Sequence, residues 1–199
     1  LRQYWEKFLF GVKTGIDLPS ENTGFLPDPE EKEKRTGQIW RIGDTYNVSI
    51  GQGDLLVTPL QLINFIASIA NGGKIYRPHL VAPQTPQLPN AATVLLDYSD
   101  WQWEVEEVQK GMIDAVKKPY GTANILSSLP MSAAGKTGSS QVANNTRTNA
   151  FFVGYAPAEN PQIALLILIE NSREGSLNAV PVAKDVLEWY YYNRLVKGL

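Results

Sequence analysis

Gly135-Lys136-Thr137-Gly138-Ser139-Ser140-Gln141 is the first of three extended stretches that follow one another in the sequence. Ala150–Pro157 and Ile163–Ile169 come next, each after a short polar or proline-containing connection. Short connections between stretches rich in β-branched and aromatic residues predict three consecutive antiparallel strands. The first stretch presents an ammonium group, a hydroxyl group and a bare glycine in succession, which suits a strand edge that receives a carboxylate-bearing peptide. The sequence therefore predicts a strand that recognises a substrate.

The tripeptide Lys-Thr-Gly occurs twice, and its surroundings separate the two copies. Lys13-Thr14-Gly15 lies between Phe10-Gly11 and Ile16–Pro19, where glycine and proline interrupt any strand-like alternation. That context predicts a turn. Only the copy at residues 136–138 lies within a predicted strand, so we assign substrate recognition to this copy alone.

The composition is that of an ordinary globular protein. The 199 residues are 43% hydrophobic and 19% charged, enough for one domain with a sizeable core. A net charge of −2 gives no basic field for a nucleic-acid backbone, so nucleic acid is excluded as a partner. The longest apolar run, Ile163–Ile169, is far shorter than the roughly twenty residues of a membrane span.

Several kinds of chemistry are excluded by residues that the sequence lacks. It has no cysteine, which excludes disulfides and thiolate catalysis. Its single histidine, His79, leaves neither a metal cluster nor a Ser-His pair, and we expect His79 to be a surface or packing residue. The sequence therefore predicts no metal site.

Periodicity predicts helices at residues 2–10, 59–71 with Thr58 as cap, 105–116 and 180–195. Residues 93–96 are predicted to form a short strand, residues 82–91 a surface connection, and residues 28–35 a solvated segment of mixed charge. Together with the three strands, these elements predict a mixed α/β (α+β) fold in which helices cover an antiparallel sheet.

The last predicted helix is expected to pack on the sheet. Val182, Val186 and Trp189 have the spacing of one helix face and are predicted to make this contact. Residues 190–192 are three tyrosines, which we expect to cover the sheet rather than to bind a cofactor.

The residue types at positions 136–139 define a candidate site. Lys136 and Thr137 could hold a substrate carboxylate, and Gly138 would leave room for the substrate backbone. The backbone N–H of Ser139 could donate to a developing oxyanion, and its hydroxyl could share the carboxylate. The alternative is a structural strand with one solvated lysine.

Arg147, in the loop at residues 143–148, could touch substrate or be a solvated loop arginine.

The neighbouring residues resemble the penicillin-binding proteins, serine D,D-transpeptidases that crosslink peptidoglycan. The resemblance covers nearly the whole chain and is closest to the class B, elongation-type penicillin-binding protein 2 group. Ten segments recur in the family's order: Thr14–Glu21, Gly43–Thr45, Ser49–Gly53, Thr58–Gln61, Ala70–Gly73, Arg77–Pro78, Gly111–Met112, Gly121–Ala123, Gly135–Gly138 and Phe152–Pro157.

Two motifs of the family mechanism are missing. No serine is followed three positions later by lysine, so the nucleophile and its base are not in this chain. The residue types of the family's Ser-x-Asn motif occur at Ser20-Glu21-Asn22 and at Ser176-Leu177-Asn178. Neither is taken as the motif, because each lies in the wrong place relative to the other motifs. We therefore expect residues 1–199 to be the C-terminal portion of a transpeptidase domain, inactive alone and continued upstream.

The resemblance implies a penicillin-binding-protein and serine β-lactamase-like transpeptidase fold, incomplete at its N-terminal side. It implies D-Ala-D-Ala stem peptides as substrates, β-lactams as inhibitors, no cofactor and a membrane-embedded glycosyltransferase partner. It also implies an N-terminal membrane anchor and a location on the extracytoplasmic side. Two alternatives remain open: a class D or sensor-type penicillin-recognising protein, and a non-catalytic interaction domain that has lost its serine.

Overall fold

The computed structural model describes residues 1–81, 92–142 and 146–198. The chain divides into two compact units, one of Leu1–Asn64 with Ile75–Leu95 and one of Phe65–Lys74 with Leu96–Leu199. The helices and strands are α1 (Arg2–Lys7), α2 (Pro29–Thr36), α3 (Ile42–Ser49), α4 (Pro59–Ala70), β1 (Lys74–Tyr76), β2 (Val94–Asp97), α5 (Gln102–Lys117), β3 (Ala134–Val142), β4 (Arg147–Ala156), β5 (Ile163–Ser172) and α6 (Gly175–Tyr190). Single 3₁₀ turns cover Ser99–Trp101 and Asn124–Ser128, and a π-helical turn covers Tyr191–Leu195.

Buried polar side chains hold the irregular segments of the first unit. The N–H of Gln61 donates to Thr58 Oγ1 over 3.1 Å, which confirms Thr58 as the cap of α4. The side-chain amide of the same Gln61 donates to the carbonyl oxygens of Val12 and Thr23, each over 2.8 Å. Gln61 is 3% exposed, so these bonds satisfy a buried amide and fix two loops on one residue.

The charged segment at residues 28–35 is helical, which the sequence analysis did not predict. Asp28 caps α2 by accepting the N–H of Glu31 over 2.9 Å, and no residue of the helix is buried. The helix α3 was also not predicted, because Gly43 and Asn47 weaken its helical pattern. Its first turn is closed by Asp44, which accepts the N–H of Arg41 over 2.7 Å.

The second unit contains the predicted three-stranded antiparallel sheet, in the order β3-β4-β5. Lys136 is opposite Val153 and Gly138 is opposite Phe151 in the β3–β4 register. The structure confirms the three strands, and β3 is the edge strand of the described part of this sheet. The predicted strand at residues 93–96 is β2, which pairs with β1. The predicted connection at residues 82–91 lies outside the described residues.

The two faces of this sheet carry different residues because side chains alternate along a strand. Ala150, Phe152 and Ala156 of β4 belong to a buried cluster with residues of α5 and α6, and we call their side of the sheet the helix face. Lys136 and Gly138 are on the opposite face, because their register partners on β4 are odd-numbered. The opposite face is called the lysine face below.

The helix α6 packs on the sheet through a different face from the predicted one, with small residues at three successive turns. Its buried residues are Gly175, Ala179, Val180, Ala183 and Leu187. The predicted packing face was wrong, since Val182 is 41% and Trp189 is 56% exposed, and Val186 is only partly buried. Small side chains at successive turns let a helix approach a sheet closely, and this fixes the rotation of α6. The helix also begins five residues earlier than predicted.

Candidate substrate-binding strand

The backbone of β3 directs alternate residues to opposite sides of the strand. Gly138 is paired with Phe151, and the carbonyl oxygens of both lie within 2.5 Å of the point where a Cβ on Gly175 would be. Both oxygens therefore point into the space between β3 and β4, as in a hydrogen-bonded antiparallel pair. Because such pairs alternate, the N–H and C=O groups of Thr137 and Ser139 point away from β4, toward the outer edge. A peptide adding to the sheet would approach this side.

Lys136 brings its ammonium group to the same edge. Its side chain is exposed, and Nζ donates to the outward-pointing carbonyl oxygen of Thr137 over 2.6 Å. Within residues 1–81, 92–142 and 146–198, no carboxylate lies at ion-pair distance from Lys136. A neutral carbonyl is a weaker partner than a carboxylate, so this ammonium group can receive an anionic ligand.

Thr137 lies on the helix face, where its hydroxyl donates to the hydroxyl of Thr122 over 2.9 Å. The loop that carries Thr122 is tied to the end of α5. Ala123 N–H donates to Ala115 O over 3.0 Å, and Asn124 Nδ2 donates to the carbonyl oxygens of Val116 and Lys118. Sequence reasoning used Thr122 only as part of a family segment. The structure makes Thr122 the partner of a predicted site residue.

Gly121 allows this loop to approach α5. A Cβ on Gly121 would collide with the carbonyl oxygen of Ala115, so only glycine fits here without displacing the backbone. The position of the Thr122 hydroxyl therefore depends on Gly121, on Asn124 and on the last turn of α5. The segment Gly121-Thr122-Ala123 was the one sequence signal that could have indicated this contact.

Ser139 also has its side chain on the helix face. Its Oγ accepts the N–H of Gly175, the first residue of α6, over 3.2 Å. The predicted carboxylate ligands are thus divided: Lys136 projects from the lysine face, and the hydroxyls of Thr137 and Ser139 lie on the helix face. All of them are next to the outer edge. Their role in binding stays a prediction.

The other motif matches have local structural contacts. Thr14, in the first Lys-Thr-Gly copy, is 2% exposed and donates to Glu21 from both its N–H and its hydroxyl, over 2.7 and 2.6 Å. Its segment has no strand structure, as predicted. Asn22 accepts the N–H of Gly24, and Asn178 accepts the N–H of Arg173, so both candidate Ser-x-Asn asparagines close turns.

Arg147 begins β4, opposite Val142 in the register. It lines a shallow polar depression with Thr146, Thr148, Asn171 and Ser172. The part of its loop at residues 143–145 lies outside the described residues. Contact between Arg147 and substrate stays a prediction.

Neither a metal site nor a membrane-crossing helix is found in the described ranges. No group of three or more acidic or histidine residues there could hold a metal ion. None of the described helices has the length and apolar character needed to cross a bilayer. His79 is exposed, consistent with the surface position expected for it.

Comparison with known proteins identifies the family. The model of the penicillin binding protein transpeptidase domain matches residues 1–188. The peptidoglycan D,D-transpeptidase MrdA of Acinetobacter baumannii is 34% identical over 98% of this chain, and the MrdA of Escherichia coli K12 is 33% identical over 88%. This chain belongs to the penicillin-binding protein transpeptidase family, and its relatives are of the penicillin-binding protein 2 type.

Solved structures agree with this assignment. Penicillin-binding protein 2 of Pseudomonas aeruginosa, in complex with WCK 5153, has a TM-score of 0.80 and 35% identity over 97% of this chain. That of Helicobacter pylori, in complex with MreC, has a TM-score of 0.81 and 32% identity over 96%. The chain spans only 31% of the Acinetobacter protein and 35% of the Helicobacter chain. The predicted fold class is confirmed.

Proposed function

We propose that this chain supplies the substrate-binding strand of a serine D,D-transpeptidase that crosslinks peptidoglycan. The observation that carries the proposal is the outer edge of β3, where the Lys136 ammonium group and the outward backbone of Ser139 occur in a member of the transpeptidase family. Relatives named peptidoglycan D,D-transpeptidase support this function.

Each residue of the strand has a proposed task in this reaction. A stem peptide ending in D-Ala-D-Ala lies antiparallel or parallel along β3, with its terminal carboxylate held by Lys136 and by the hydroxyls of Thr137 and Ser139. Gly138 leaves space for the peptide backbone. The Ser139 N–H donates to the carbonyl oxygen of the penultimate D-Ala as that oxygen becomes negative.

No bond of these side chains forms or breaks in the proposed reaction. A serine in the upstream part of the protein attacks the penultimate carbonyl carbon, and the bond to the terminal D-Ala nitrogen breaks as that nitrogen takes a proton. An amine of a neighbouring stem peptide then attacks the acyl-enzyme and releases the serine. β-Lactams acylate the same serine.

The proposal extends to the surroundings of the protein. We place the protein on the extracytoplasmic face of the cytoplasmic membrane, with an N-terminal anchor upstream of Leu1 and a membrane-embedded glycosyltransferase as partner. The Helicobacter relative was solved in complex with MreC, which makes an MreC-like protein a second partner to test. Residues 1–199 are then the C-terminal portion of the transpeptidase domain.

The test compares the 199-residue chain with the full-length protein that carries it. Fluorescent penicillin and intact-protein mass spectrometry should give one covalent adduct on the full-length protein and none on the chain alone, because the chain has no Ser-x-x-Lys. An adduct on the chain alone would contradict the assignment of the nucleophile. If the full-length protein also forms no adduct and has no upstream Ser-x-x-Lys, the non-catalytic interaction domain is correct.

A further inference from the structure

We propose that Gly175, the first residue of α6, is a positioning residue for the substrate edge of β3. It acts through Gly138 and Ser139, not by touching the substrate. This inference rests on the proposed function of β3. It concerns a point where the N-terminal end of a core helix touches the backbone of the candidate site.

Steric evidence comes from the backbone around Gly175. A Cβ on this residue would collide with the carbonyl oxygen of Phe151, and would lie 2.5 Å from Gly138 O and 3.1 Å from Gly138 N. These are backbone atoms, which cannot turn aside as a flexible side chain can. Gly175 also has an ordinary backbone conformation, so the need for glycine here is one of space alone. Any larger residue must push α6 away from Gly138 or bend β3.

Hydrogen bonding gives independent evidence. The first N–H groups of an α-helix have no partner within the helix, and the cap residue Glu174 makes no side-chain bond to them. The N–H of Gly175 instead donates to Ser139 Oγ, which is 36 residues away in sequence. This bond ties Ser139 Oγ to the first residue of α6. The contact therefore restrains the position of the Ser139 side chain.

Both contacts act on the part of β3 that is proposed to bind the carboxylate and the oxyanion. Gly138 and Ser139 share the peptide group whose N–H is the proposed oxyanion donor. Displacing that peptide group changes the donor position, and a displacement of about 1 Å can lower a rate by about a hundredfold. Gly175, which contacts this peptide group from the helix face, therefore controls the geometry of the site.

The test uses the full-length protein and the variant Gly175→Ala. The readouts are the acylation rate constant with benzylpenicillin, the same constant with benzylpenicillin methyl ester, and the melting temperature. The free acid carries the carboxylate and the ester does not, so their rate ratio reports on carboxylate recognition. We expect acylation by the acid to fall about tenfold or more, and the acid-to-ester ratio to fall about threefold or more.

Two controls separate positioning from stability. Gly111→Ala adds a Cβ to a glycine of α5 that has nothing within 4 Å of that atom, and it should change neither rate. Val180→Ala removes methyl groups from a fully buried residue of α6, so it should lower the melting temperature but keep the acid-to-ester ratio. A double-mutant cycle with Ser139→Ala should be non-additive, because both changes act on one contact.

The outcomes distinguish this inference from the proposed function. If wild type does not favour the acid over the ester and Lys136→Ala has no effect, the proposed function fails. If wild type favours the acid and Lys136→Ala lowers acylation, but Gly175→Ala keeps the wild-type ratio, only the role of Gly175 is overturned.

A second pair of variants applies if Gly175→Ala does not fold. Asn178→Ala removes the side-chain oxygen that accepts the Arg173 N–H over 3.3 Å, which loosens the start of α6 without adding an atom. Asn193→Ala, in the π-helical turn that follows α6, is its control. Asn178→Ala should lower the acid-to-ester ratio and Asn193→Ala should not. Equal ratios for the two would overturn the proposal.

Discussion

The hydroxyl of Thr137 lies 2.9 Å from the hydroxyl of Thr122, and this contact joins the substrate strand to the loop that follows α5. The loop is itself fixed by Asn124, whose side-chain amide donates to the carbonyl oxygens of Val116 and of Lys118, the residue that follows α5. The direction of the Thr137 hydroxyl is therefore set by a residue 15 positions earlier in the chain. If Thr137 donates to the substrate carboxylate, the Thr122 hydroxyl reverses this bond and donates to Thr137 Oγ1, which supports it.

Thr122→Val in the full-length protein removes this support while keeping the side-chain shape. A neutral hydrogen bond contributes about 0.5–1.5 kcal/mol, so β-lactam acylation should slow by about twofold to tenfold. Thr122→Ser keeps the hydroxyl and is the control. Stopped-flow acylation measures both variants. A serine variant as slow as the valine variant would show that the methyl group, not the hydroxyl, matters at position 122.

Lys136→Ala tests the choice between the two Lys-Thr-Gly copies. Removing one partner of a desolvated charge pair costs about 2–5 kcal/mol, so acylation should slow by about thirtyfold or more. Lys13→Ala should have little effect, because the first copy lies in an irregular segment in which Thr14 is bonded to Glu21. The acylation rate constant with benzylpenicillin measures both. Equal effects of the two substitutions would show that the wrong copy was chosen.

Asp17 predicts an acid-sensitive contact in the first unit. Its carboxylate accepts the N–H of Leu80 over 2.8 Å and that of Val81 over 3.0 Å. These two backbone donors, of which Leu80 has the larger effect, lower the pKa of the Asp17 carboxyl below its usual 3.8. A lowered folded-state pKa stabilises the contact fully above about pH 4, and the stabilisation is lost as the pH falls through the lowered value.

The measurement is hydrogen exchange at the amides of Leu80 and Val81 as a function of pH. Wild type should protect both amides at neutral pH and lose that protection in acid. Asp17→Asn should reduce protection at neutral pH and remove the acid transition, because the amide does not titrate there. Asp185→Asn changes an exposed carboxyl of α6 and should leave the profile as in wild type. An unchanged profile in Asp17→Asn would remove Asp17 from this role.

The strands were predictable from the sequence because their signal is local. Along β3, β4 and β5, polar and apolar residues alternate or apolar residues follow one another, over ten residues or fewer. The short connections between these strands leave only the antiparallel arrangement. The presence of Lys136 on an edge strand followed from the same pattern. The direction of the Ser139 N–H did not, because it depends on which residue of β4 pairs with Gly138.

The remaining features depend on contacts between distant residues. The rotation of α6 is set by how closely Ala179 and Ala183 approach the sheet, and spacing alone favoured the larger Val182 and Trp189. The contacts of Thr122 and Gly175 with β3 join segments 15 and 36 residues apart. No periodicity within one element could indicate such contacts.

Gly138→Val tests whether the substrate peptide binds along the outer edge of β3. A Cβ at this position points to the lysine face, and among the described residues it comes within 4 Å of Phe151 Cβ alone, at 3.4 Å. Valine is well tolerated in strands, so the variant should fold and melt like wild type. Its branched side chain occupies the space that the substrate backbone needs, and it moves the scissile carbonyl away from the Ser139 N–H. Losing one oxyanion donor costs on the order of 10²–10³ in rate, so acylation should be nearly abolished.

Ser140→Val is the matched control for Gly138→Val, because residue 140 lies on the same face of β3, two positions further along the strand. It adds the same side chain outside the three residues proposed to hold the carboxylate, so acylation should stay within about threefold of wild type while the melting temperature is unchanged. Acylation rate and thermal melting are measured side by side for both variants. A Gly138→Val protein that melts normally and acylates at the wild-type rate would show that the substrate peptide does not bind along β3. The strand would then be structural, and Lys136 a solvated lysine.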